Sequence, residues 1–232
     1  TDADRTGRVR VAGVKLITDG AYSNRTAWTL DPYPGGDDCG LPTLSASELV
    51  RGVDWARRNG VQAAVHAMGD RAISIVIDTF ADTDPWLEEA PSIRIEHCTL
   101  VSEDLLDRIA AARMRFGLVS HTIFLFAEHG DYAANLSPSQ FEIAYPIRSF
   151  YELVPATALA SDAPATAWAD ADNPFVSIKA TPYTDALARP AISTGLQALM
   201  QLMQGENAGA RDRLAWVSLW GGLVFADAGH GA

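Results

Sequence analysis

Cysteine is scarce in this chain. Of 232 residues only Cys39 and Cys98 are cysteine, and no CxxC spacing occurs. Two are too few for a disulfide framework and fit a reducing compartment, so the cytoplasm is the expected location. Positive charge is also short: 18 Lys and Arg stand against 29 Asp and Glu, a formal net charge of −11. With no basic cluster to offset that field, neither nucleic acid nor an anionic membrane surface is an expected partner. No apolar run reaches the ~18 residues of a membrane helix, and the segment Thr1-Asp2-Ala3-Asp4-Arg5 lacks an apolar stretch, so neither a span nor a signal peptide is expected. The first residue is not Met, and an upstream segment is expected to have been removed. The phosphate-cradling patterns GxGxxG and GxxxxGK[ST] are missing, which argues against an open nucleotide-binding sheet. The tryptophans are scattered singly, so no stacking platform for bases is formed.

What is present reads as one globular domain over residues 1–232, with 48% hydrophobic and 20% charged residues and no repeat or low-complexity tract. Short apolar runs alternate with helical signals. The first run is Val9 to Ile17, and a Gly/Pro/Asp-rich loop follows it to about residue 43. Ser45-Ala46-Ser47-Glu48 reads as a capping box opening a helix that ends near Gly60. Strands ending at His66 and His97 follow, separated by an apolar helix, Ala72 to Phe80. Ser102-Glu103-Asp104 caps the next helix, and Arg115 to His121 reads as a strand. A long excursion through Ser137-Pro138 and a helix to Leu153 then leads to a last strand, Ala156 to Asp162. Strands separated by helices of this length imply parallel pairing.

Four polar residues, Lys15, His66, His97 and Asp162, lie at the ends of these strands, and His121 ends a fifth. In a (β/α)8 barrel the catalytic groups stand at the carboxyl ends of several strands and converge on one mouth. A TIM-barrel type of α/β fold is therefore expected. Eight strands usually need ~250 residues, and five are visible, so the chain reads as the later part of a barrel, about strands four to eight.

The motifs Val14-Lys15-Leu16-Ile17-Thr18-Asp19-Gly20-Ala21, His66-Ala67-Met68-Gly69-Asp70-Arg71-Ala72, Arg94-Ile95-Glu96-His97 and Ala160-Ser161-Asp162-Ala163-Pro164 follow one another in this order. In order and spacing they resemble the amidohydrolase superfamily, and within it the amidohydrolase-3 branch of metal-dependent amide hydrolases that includes N-substituted formamide deformylases. The similarity runs from about Val9 to about Ala180. It implies that Lys15 is the strand-four lysine, carboxylated so that its carbamate bridges two metal ions. His66 and His97 would be ligands of the second metal. Asp162 would bind the first metal and take a proton from the attacking water. The family's first two ligands form a His-x-His pair, and no His-x-His occurs in this chain. The segment for strands one to three and the small β-sandwich of the family are also absent.

Chemistry points the same way. Neutral imidazole and carboxylate suit zinc and related divalent ions, and a catalytic zinc lowers the pKa of its water to ~7. Plainer readings stand beside these. Asp162 is also placed to cap a turn before Pro164, and Lys15 to pair with Asp162 in a metal-free chain. His121 either lines the substrate pocket or is structural. Glu96 alternates with His97 and is expected on the helix side, paired with Arg94. Asp70 and Arg71 cap or position the helix after His66. His129 and His230 fall in loop-like or terminal sequence. Two functions follow: a metal-dependent hydrolase of a small-molecule amide or formamide C–N bond, or a catalytically silent fragment that keeps ligand residues. Lactone or ester hydrolysis and deamination are related alternatives. The open edge near the first strand is expected to be covered by another copy, a neighbour or a further chain segment.

Overall fold

The computed structural model describes residues 7–165 and 172–173. Five strands, β1 (Gly13–Ile17), β2 (Gln62–Ala67), β3 (Ile93–His97), β4 (Phe116–Ser120) and β5 (Thr157–Leu159), form one sheet in sequence order β1-β2-β3-β4-β5. Every pair is parallel. Helices α1 (Ala46–Asn59), α2 (Asp70–Phe80) and α3 (Glu103–Ala111) fill the first three crossovers, and the last holds α4 (Ile123–Ala127), α5 (His129–Asn135), α6 (Pro138–Glu142) and α7 (Ile147–Leu153). Parallel crossovers are right-handed, so a sheet whose order never reverses carries its helices on one face. In agreement, α1 packs on β1 and β2, and α1–α2, α2–α3 and α3–α7 pack in series. This is an arc of a TIM-barrel-type fold.

Local sequence explains the elements. Ser45 accepts the Glu48 N–H while Glu48 reaches back to the Ser45 N–H, so α1 opens on a complete capping box. It closes at Gly60, whose φ of 61° lets its N–H reach Ala56 and Arg57 carbonyls. The buried positions Leu49, Val53 and Ala56 of α1, and Ala72, Ile73, Val76, Ile77 and Phe80 of α2, recur at helical spacing. They meet Ala63, Val65, Ile93, Ile95 and Leu118 from one face of the sheet in a single core cluster. Each such aliphatic side chain contributes about 1.5–3 kcal/mol by leaving water.

The other face is different. Register places Lys15 beside Ala64, Arg94 and Gly117, and Ile17 beside His66, Glu96 and Val119. Lys15 and Ile17 are exposed there, because β1 is an edge strand among the described residues. Three differences from the sequence reading follow. Residues 9–12, expected in the first strand, are not strand, and Val9 and Val11 stand exposed beside the edge. The excursion holds three short helices beyond the expected one, and His129 begins one of them instead of lying in a loop. The last strand stops at Leu159, before Asp162. His230 lies outside the described residues.

Candidate functional site

The carboxyl ends of β2 to β5 bring His66, His97, His121 and Asp162 into one cluster. His66 faces away from the core in regular alternation. Its Nε2 lies 2.9 Å from the Gly20 carbonyl and 3.3 Å from Asp19 Oδ1. Asp19 is a fully buried carboxylate that accepts the backbone N–H groups of Trp28, Met68 and Gly69 at 2.9, 3.0 and 2.8 Å. It therefore joins the loop after β1 to the turn after β2, directly under the His66 ring. Gly69 is required at that junction: a Cβ there would stand 1.9 Å from the Trp28 carbonyl oxygen. The loop is tied down further by Tyr22, which donates to the Met68 carbonyl at 2.9 Å, and by Asn135 of α5, which donates to the Tyr22 carbonyl at 2.7 Å.

His97 reaches the cluster by a different route. By alternation its side chain belongs with Ile93 and Ile95, toward the core. Instead its φ is 68° and that of Cys98 is 47°. Left-handed backbone at a non-glycine residue costs about 1–3 kcal/mol, and here it turns the ring out of the core layer. The His97 ring lies 4.4 Å from that of His66 and 4.3 Å from that of His121, centroid to centroid. Nε2 of His97 is 3.9 Å from Asp162 Oδ2, and Asp162 also has a positive φ, 54°.

Glu96 is not on the helix side. It shares the face of His66 by register, pairs with Arg94 as expected, and brings Oε2 within 3.7 Å of His121 Nε2. The alternation expected from His97 fails because His97, not Glu96, leaves the regular strand conformation. His121 is 3% exposed, and its Nδ1 accepts the His97 N–H at 3.1 Å. Asp70 accepts the Leu30 and Arg71 N–H groups at 2.7 and 2.9 Å, a positioning role at the start of α2. Lys15 is the middle residue of β1 and not its end as expected; it occupies the same face, and its charge interacts with Glu96 and Asp162 through space rather than in a direct ion pair. Asp19 is the residue that sequence reading passed over. Its signal was an acidic residue between Thr18 and Gly20, immediately past an apolar run.

Electrostatics keep His97 and His121 uncharged. Burial, then the neighbouring His121, His66 and Lys15, push the His97 imidazole down to about 2. Burial, then Lys15, His66 and Arg94, push His121 down to about 3. The Lys15 amine is lowered by desolvation, opposed by Glu96 and Asp162. Neutral imidazoles offer lone pairs, and His97 Nδ1 is a buried ring nitrogen with no hydrogen-bond partner. No three His, Cys, Asp or Glu side chains among the described residues stand close enough to hold a metal ion together. The donor types nevertheless fit a divalent ion: two imidazole rings, a carboxylate within 4 Å of one of them, and an orphaned nitrogen.

A parallel sheet arc with polar groups gathered at its carboxyl ends is a TIM-barrel-type arc with its candidate site where barrel enzymes carry theirs. Residues 3–210 match the amidohydrolase family, Amidohydro_3, and the chain belongs to that family. It is 28% identical over 116 residues to YtcJ of Bacillus subtilis (strain 168), whose name assigns it provisionally as an amidohydrolase; the match covers 50% of this chain and 22% of YtcJ. A crystal structure of an uncharacterised metal-dependent hydrolase from Pyrococcus furiosus superposes with a TM-score of 0.65 at 28% identity, over 77% of this chain and 36% of that one. A second, from Pyrococcus horikoshii OT3, gives a TM-score of 0.63 at 25% identity over 95% of this chain and 43% of the other. The chain thus spans less than half the length of each of these relatives.

Proposed function

We propose that the protein carrying this chain is a metal-dependent hydrolase of a small-molecule amide or formamide, cleaving a C–N bond other than a peptide bond. The observation that supports it most is the meeting of His66, His97 and Asp162 at the strand ends of a chain of the amidohydrolase family. His66, His97 and Asp162 would hold a divalent ion, zinc by donor type, with Lys15 joining them if its amine is carboxylated. When bound, such an ion supplies a water of pKa ~7 and a Lewis acid for the substrate carbonyl. Asp162 accepts a proton of the attacking water as oxygen adds to the carbonyl carbon, and returns it to the nitrogen as the C–N bond breaks. Asp19 and the Gly20 carbonyl fix the His66 ring. His121, walling the cluster beneath His97, borders the substrate side. Cys39 and Cys98 are both free thiols, in keeping with a reducing compartment such as the cytoplasm.

The test is metal content and turnover of N-acyl and formamide substrates, measured together. Asp162→Asn keeps an oxygen for the ion but cannot accept a proton at neutral pH, so it should retain metal and lose roughly 10²–10⁴-fold in rate. His66→Ala and His97→Ala should lose metal as well. Wild-type turnover in Asp162→Asn at full metal occupancy removes the aspartate from the mechanism. A second reading is a chain that keeps ligand residues but is catalytically silent, in line with the finding that no three His, Cys, Asp or Glu side chains among the described residues stand close enough to hold a metal ion together. Protein that purifies without metal and takes none up would establish it.

A further inference from the structure

One ring nitrogen of His121 is hydrogen-bonded, and the other faces a carboxylate. Nδ1 receives the backbone N–H of His97 at 3.1 Å. A nitrogen that accepts from an N–H carries no proton, so the ring proton sits on Nε2. That nitrogen lies 3.7 Å from Glu96 Oε2, and Glu96 is anchored in turn by Arg94 on the same strand. Glu96 and His121 are both buried, at 5% and 3% exposure. The amide that His121 receives belongs to the first of two consecutive left-handed residues, His97 and Cys98. Such backbone persists only where its surroundings over-determine it. The His121 ring supplies a second restraint, lying against the His97 ring at 4.3 Å with 36° between planes.

We propose that His121 is a positioning residue that holds the left-handed turn at His97 and so aims the His97 ring at His66 and Asp162. Its consequence for metal rests on the hydrolase reading above, whereas the conformational claim does not. Regular strand backbone at 97 would return the ring toward the layer of Ile93 and Ile95, and His66 would lose its neighbour. On this account His121 acts through His97 and touches no reacting atom.

The experiment uses the full chain, labelled for NMR. In the wild type, His121 should show the Nε2–H tautomer, and the His97 amide should exchange slowly with solvent. In His121→Leu, which removes the acceptor, that amide should exchange about 100-fold faster. Zinc affinity, read by competition with a chromophoric chelator, should fall roughly tenfold or more, the usual effect of losing a group that orients a ligand. His121→Asn places Oδ1 near the position of Nδ1 and should keep zinc affinity within about threefold of wild type. An Nδ1–H tautomer in the wild type, or His97 exchange unchanged in His121→Leu, overturns the proposal. Should His121→Leu not fold, the wild-type tautomer and the His97 exchange rate in His121→Asn decide the matter. Wild-type protein that takes up no zinc but shows the tautomer and the slow amide sinks the hydrolase reading and upholds the positioning role.

Discussion

His97 and His121, held near 2 and 3, are the residues through which acid should act on this protein. An unfolded chain binds protons at these rings near pH 6.5, and the folded one does not until far lower. The unfolded state therefore holds more protons in that window, and stability rises with pH. The stabilisation is complete above about pH 6.5 and is lost as pH falls toward 3, by up to ~1.4 kcal/mol per pH unit for each ring. Urea midpoints at pH 7, 6 and 5 should fall steadily, and His121→Asn should make the slope shallower. A wild-type midpoint that is flat across this range would contradict the burial of neutral rings. Asp19 is the second residue to test. Its carboxylate satisfies three backbone N–H groups inside the protein. Asp19→Ala orphans them and should cost about 3 kcal/mol or more, each stranded buried donor costing about 1–3. Thermal or urea denaturation checks this, and a loss below 1 kcal/mol, roughly the value of one ordinary hydrogen bond, would show that water replaces the carboxylate. At this scale the positions of His66, His97 and His121 at or next to strand ends were legible, because each follows an apolar run, whereas Asp162 lies three residues beyond the end of β5. Glu96 was not, since period-two alternation holds only while the backbone stays extended, and nothing in Ile95-Glu96-His97-Cys98 announces two left-handed residues.

Among the elements, helices of nine or more residues were readable and α4, α5 and α6 were not, although α6 opens on a complete capping box at Ser137. The Ser45 box and Gly60 bracket α1, and Ser102, which accepts the Leu105 N–H at 3.3 Å, opens α3. Ser45→Ala should destabilise by about 1 kcal/mol, seen as a lower urea midpoint with an unchanged slope. An unchanged midpoint would mean that α1 is held by its buried face alone. By contrast α4 and α6 have five residues each and α5 has seven, too short for a period of 3.6 to stand out. The first strand was drawn too long for a related reason. Val9 and Val11 have strand composition, but they extend past the segment that pairs with β2, and composition cannot supply a partner.

For the whole molecule, strand–helix alternation sufficed to reach a barrel arc, because order and handedness leave few other arrangements. The edge beside β1 is its weak point. Val9 is 88% exposed and Val11 42%, next to a strand that is paired on one side only among the described residues. Open strand edges recruit partners. We expect the chain to associate with itself through this edge at roughly micromolar concentration. Val9→Lys with Val11→Lys should shift its sedimentation toward the monomer. Identical sedimentation of the variant and the wild type would place the contact elsewhere.

The unbroken strand order has a consequence for synthesis. Spatial neighbours are also neighbours in time, so a nascent chain can lay each strand on the one before it and never waits for a distant partner. The chemistry-bearing side chains emerge in the order in which they meet: Lys15 and Asp19, then His66, His97, His121 and finally Asp162. A ribosome-bound intermediate that stops after β4 would already hold the three imidazoles side by side, lacking the carboxylate. Any gene break or fusion falling within a crossover would therefore divide this cluster cleanly, leaving each piece with whole strands and a part of the chemistry.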